Sequence, residues 1–103
     1  MDAMDLMKDI LRGVEPAGAT ILKGGSGLSL KDSEISLVPE RIYDFPHMTA
    51  YIFKAQNLIG NSVIVPIEQI SFPNLLAVTT DQDMLSPKGQ EGDNTRVYLI
   101  AGK

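Results

Sequence analysis

The chain reads as a mainly β protein, an antiparallel β-sandwich preceded by one short amphipathic α-helix. Three observations predict this. From Ala19 onward, short apolar runs are broken by Gly, Pro, Asn or Asp at intervals of roughly eight to twelve residues, the rhythm of small antiparallel sheets. No later segment repeats with helical period, so the crossover helices that a parallel sheet requires are missing. Only the opening residues carry a 3.6-residue apolar stripe.

That stripe predicts a helix over Asp2 to Arg12. Ala3, Leu6, Met7, Ile10 and Leu11, with Val14 following, fall on one face. Acidic residues concentrate early, Lys8 and Arg12 come late, and Gly13 stands where a left-handed terminator belongs. Pro16 and the linker "AGAT" lead into the first strand. Residues 1–18 are thus a helix with its linker, and residues 19–103 the sandwich.

The strand candidates follow in order as "ATILK", "LSLK", "ISLV", "RIYDF", "MTAYIFKAQ", "SVIV", "IEQISF", "LLAVTT" and "TRVYLIA". Prolines 39, 46, 66 and 73 are expected at strand ends, where a missing N–H is tolerated and an edge is blunted. "GGSG" at Gly24 to Gly27 lacks the Gly-Lys-Ser/Thr of a phosphate loop and the spacing of a nucleophile elbow, so it reads as a turn. The polar stretch Asp81 to Asn94 is long for a compact domain, as mobile or functional loops are.

The run "MTAYIFKAQ" poses the main structural question. Met48, Ala50 and Ile52 share one parity while Tyr51, Phe53 and Ala55 share the other, so both faces of one strand are apolar. Something must cover the second face. The economical cover is the N-terminal helix, docked on Met48, Ala50 and Ile52; the competing expectation leaves those three residues as a landing surface for a partner, reinforced by strand addition at a sheet edge.

Composition narrows the chemistry. The 103 residues carry a formal charge of −4, with nine Lys and Arg that are scattered singly, which argues against direct nucleic-acid binding. Without cysteine there are no disulfides, thiolate metal sites or cysteine nucleophiles. No apolar run is long enough for a transmembrane segment, and Met1 to Gly13 lacks the basic start and apolar centre of a secretory signal, so an exported chain would carry its signal in upstream sequence.

Catalytic parts are sparse. His47 is the only histidine and stands at a strand start between Pro46 and Met48; a Ser-His-Asp hydrolase would have to assemble around it. Asp81 and Asp83 begin like a calcium loop, but Pro87 and Lys88 intrude and Gly92 occupies the place of the bidentate glutamate, leaving only a loose site of Asp81, Asp83, Glu91 and Asp93 to consider. The reading is therefore of a non-enzyme with no required cofactor. The alternative is a small carbohydrate-type ligand-binding sandwich using Tyr43 or His47 and the acidic loop, which needs exposed aromatics in one plane.

Three stretches carry a family likeness: "LMKDILRGVEPAG" at Leu6 to Gly18, "AYIFKAQN" at Ala50 to Asn57, and "LAVTTDQDMLSP" leading to "NTRVYLI" at Asn94 to Ile100. Together they resemble the C-terminal part of the TraK family, secretin-like periplasmic components of F-type conjugative type IV secretion systems. Tyr51 and Phe53 carry bulk where the family has tryptophan-like residues, and "SPKGQEGDN" expands a tighter Pro-Gly turn. The resemblance implies a periplasmic interaction module associated with the outer membrane. It also implies a ring homo-oligomer in a DNA-transfer core complex that grips a small TraV-like lipoprotein and contacts a TraB-like scaffold.

Overall fold

The computed structural model describes residues 2–14, 16, 18–23, 30–31 and 34–103; the turn expected at Gly24 to Gly27 lies outside them. The elements in chain order are α1 (Ala3–Leu11), β1 (Thr20–Lys23), β2 (Leu30–Lys31), β3 (Ile35–Asp44), β4 (Met48–Asn57) and β5 (Val63–Ile64). A 3₁₀ turn (Ile67–Gln69) follows, then β6 (Leu75–Thr80), β7 (Met84–Leu85) and β8 (Asn94–Gly102). The fold is mainly β and its strand pairs are antiparallel, with one short N-terminal helix.

The start and stop of α1 are chemical. The Asp2 carboxylate accepts the Asp5 N–H at 2.8 Å, satisfying a donor that the first helical turn leaves open. At the other end Gly13 takes a φ of 74°, which a side chain would resist, and the chain turns away. Leu6, Met7 and Ile10 are buried on the inward face.

The large sheet runs β1-β3-β4-β8-β6, with β2 also beside β3; β5 and β7 form a separate two-stranded ribbon. "ISLV" and "RIYDF", expected as two strands split by Pro39, are one strand, β3, with a bulge at Glu40. Pro39 stands next to that bulge, a place in a sheet where proline is tolerated. The bulge also reverses the parity of β3. Before it Ile35 packs toward the ribbon; after it Tyr43 packs toward α1. A second bulge at Leu76 does the same for β6, sending Leu75 to the ribbon side and Ala77 to the helix side.

"IEQISF", expected as a strand, is instead the 3₁₀ turn and a connector between Pro66 and Pro73. Ile67 and Ile70 are three residues apart, the repeat that puts side chains on one face of such a turn, and both pack on the core.

The central strand is covered on both faces. Against one face α1 lays Leu6, Met7 and Ile10 over Tyr43, Met48, Ala50, Tyr98 and Ile100. Against the other, Val63, Val65 and Leu85 of the ribbon region close over Ile35, Phe53, Ala55, Val97 and Leu99. The second β layer is thus far smaller than the first, and the connectors around it complete the cover.

Candidate functional site

Met48, Ala50 and Ile52 lie beneath α1. Ala50 is 0% exposed and Met48 8%, while Ile52 is half-buried at the margin of the helix. A partner reaches Met48 and Ala50 only after α1 moves, whereas the sheet edges are reachable as they stand.

The two edges of the large sheet differ. On one side β1 and β2 both pair with the bulged β3. On the other, β6 presents "LLAVTT", six residues with no charge and no proline, paired only to β8. The Asp81 N–H donates to the Arg96 carbonyl at 3.2 Å, so by alternation the backbone groups of Thr80 and Val78 point away from β8. Leu76, lifted by its bulge, is 55% exposed beside them. Edges of this kind are usually blunted by lysine, proline or a covering segment. The "LLAVTT" run signals a strand in the sequence, but nothing there marks it as the outermost.

A cleft of about 280 Å³ opens where the end of α1 meets the sheet, walled by Leu11 and Val14 and floored by Tyr43, Ile52 and Tyr98. Its polar groups are engaged with one another. Arg41 donates to the Tyr43 hydroxyl at 3.5 Å, Arg96 pairs with Glu40 at 3.8 Å, and the Tyr98 hydroxyl donates to Asp81 at 2.8 Å. Burial raises the Tyr98 pKa, and the hydrogen bond to Asp81 adds to the rise.

His47 is exposed in the β3–β4 hairpin turn, where its carbonyl accepts the Lys103 N–H at 3.1 Å. None of the three tyrosines and three phenylalanines is exposed. Tyr51 stacks near Phe53 and Phe72, on the ribbon side, so the aromatics serve packing instead of forming an outward platform.

The 81–94 segment is tied down. Asn57, 0% exposed, donates through Nδ2 to the carbonyls of Asn61 at 2.7 Å and Ser86 at 2.9 Å and accepts the Ile59 N–H at 2.9 Å. Asp93 accepts from the Gly89 N–H at 3.0 Å and from Asn94 at 2.8 Å, and these bonds hold its carboxyl below the usual range, the Gly89 amide contributing most. Gly92, at φ 85°, sits where an added Cβ would be 3.1 Å from the Ser86 hydroxyl. Asp81 and Asp93 are therefore committed to separate hydrogen bonds, and among the described residues no three His, Asp or Glu gather closely enough to hold a metal ion.

On the ribbon, Ile64 and Met84 are cross-strand partners that point outward, 65% and 54% exposed. With Pro66 and Ile67 they line an open groove of about 660 Å³, rimmed by the carboxylates of Glu68 and Asp83. Sequence reading passed over this feature: "SVIV" announces a strand but not which of its side chains stays outside.

Among the described residues no helix is long and apolar enough to cross a membrane. No family model matches the chain, and no curated protein matches it either.

Proposed function

We propose that this chain is a non-catalytic structural and interaction module of a periplasmic, outer-membrane-associated secretion core complex, and that it takes hold of a small lipoprotein by accepting one of its strands along β6. The observation that carries the reading is that edge, six uncharged residues with outward backbone groups at Val78 and Thr80 and an exposed Leu76. Strand addition draws affinity from main-chain hydrogen bonds, and β6 offers these at Val78 and Thr80. The resemblance of Leu6–Gly18, Ala50–Asn57 and Asn94–Ile100 to the TraK family supplies the partner class, a TraV-like lipoprotein, with a TraB-like scaffold on another surface.

Titration of the labelled chain with the soluble part of a TraV-like lipoprotein tests this. The amides of Val78 and Thr80 should shift and gain exchange protection, and Val78→Pro, which removes an outward N–H, should weaken binding at least tenfold, about 1.4 kcal/mol. Leu76→Lys should weaken it less. Undiminished binding by Val78→Pro would refute the edge as the site.

A further inference from the structure

We infer that the groove on the β5–β7 ribbon receives a cationic, apolar peptide segment of another protein, one in which large apolar side chains stand next to Lys or Arg. The inference stands on the groove alone and depends neither on the secretion reading nor on the β6 edge.

The register of the ribbon builds the floor. The Val65 N–H donates to the Asp83 carbonyl at 2.7 Å, so the next rung, Ile64 opposite Met84, is a non-hydrogen-bonded pair, whose side chains approach most closely. Val63 and Leu85, one rung further, are buried in the core, and alternation therefore turns Ile64 and Met84 outward together. They form one exposed apolar strip, which Pro66 and Ile67 extend. Methionine is unbranched and polarizable, so the strip adapts to apolar side chains of different shape.

The rim selects the occupant. Glu68 and Asp83 are exposed on it, and among the described residues no Lys or Arg lines the groove. On a chain whose formal charge is −4, that arrangement repels phosphate, anionic lipid headgroups and nucleic acid, and attracts cations. A bare metal ion finds no cluster of ligands among the described residues and gains nothing from the apolar strip. The groove, of about 660 Å³, is open, so it grips one side of an extended chain instead of enclosing a small molecule. Apolar side chains on the strip, with Lys or Arg at the rim, satisfy floor and rim together, and a peptide segment carries both in adjacent residues.

Titration of the isotope-labelled whole chain with three capped peptides tests the idea: Gly-Arg-Leu-Leu-Lys-Gly, its acidic counterpart Gly-Glu-Leu-Leu-Glu-Gly and its polar counterpart Gly-Arg-Ser-Ser-Lys-Gly. The first should shift the amides of Ile64, Glu68 and Met84, and the other two should bind at least tenfold more weakly. Glu68→Lys with Asp83→Lys should reverse the preference, so that the acidic peptide binds better than the cationic one. Ile64→Ser with Met84→Ser should weaken the cationic peptide at least tenfold, whereas Leu76→Lys, on the β6 edge, should leave its binding unchanged. All four groove positions are exposed, and circular dichroism verifies that the fold survives. No shift up to millimolar peptide, equal binding of the acidic peptide, or loss of binding in Leu76→Lys would overturn the inference. So would shifts of Ile64 and Met84 that grow with the chain's own concentration in the absence of peptide, which would assign the groove to a second copy.

Discussion

The two faces of the large sheet solve one problem by different means. The helix face is closed by a single contiguous segment, with Leu6, Met7 and Ile10 arriving on one helix turn after another. The ribbon face is closed by pieces from distant parts of the chain, Val63, Val65 and Leu85, held in place by the side chain of Asn57. A local cover docks or leaves as a unit, whereas an assembled cover depends on the polar bonds that fix its pieces. The difference teaches where to expect cooperative loss and where local opening.

The largest expected effect lies on the assembled face. Phe53→Ala should cost about 3–5 kcal/mol in denaturant unfolding, since Phe53 is 1% exposed and sits among residues of both β layers. On the helix face Leu6→Ala should cost less, about 2–3 kcal/mol, because α1 can lift away without dissolving the sheet. The double variant Leu6→Ala with Ile10→Ala should then fall short of additivity. Equal costs for Phe53→Ala and Leu6→Ala, with the same amides opening in hydrogen exchange, would erase the distinction between the faces.

Next comes the clamp. Asn57→Ala strands the carbonyls of Asn61 and Ser86 and should cost about 2 kcal/mol. Hydrogen exchange should quicken in 58–62 and 86–93 while α1 stays as protected as before. Quickening confined to α1 would assign Asn57 the wrong role. Tyr98→Phe, on the helix side, removes one hydrogen bond to Asp81 and should cost about 1 kcal/mol.

The smallest effect is acid dependence. Asp44 is held below its usual 3.8 chiefly by the hydrogen bond from the Lys103 ammonium, at 2.6 Å, with the Thr49 hydroxyl adding to it. Asp93 is lowered in the same direction. A depressed folded pKa means full stabilisation above the unfolded value and progressive loss as pH falls through the folded one. Stability should hold down to about pH 5 and decline below it, and Asp44→Asn with Asp93→Asn should flatten that limb. A limb left as steep in the double variant would place the acid sensitivity elsewhere.

Much of this architecture was legible residue by residue. The Leu6, Met7, Ile10 stripe and Gly13 together specify α1, and the double-sided apolarity of Met48–Ala55 specifies a strand covered twice. Pro39 misled, because a proline reads as a strand boundary unless the bulge beside it is known. Ile67 and Ile70 misled in the same way: beside Phe72 they suit a strand or a 3₁₀ turn, and only the core beneath them selects one. Of the candidate surfaces, Met48, Ala50 and Ile52 were visible as an apolar face, while the β6 edge and the Ile64–Met84 groove were not.

What the sequence determined alone is therefore local: the helix with its glycine terminator, the strand runs and the need to cover both sides of β4. These depend on periodicity and turn chemistry within a few residues. Tertiary structure alone decided that β6 is outermost, that bulges at Glu40 and Leu76 swap the faces of β3 and β6, and that Ile64 and Met84 stay in view. Strand order and exposure arise from contacts between residues far apart in the chain, which no local pattern encodes.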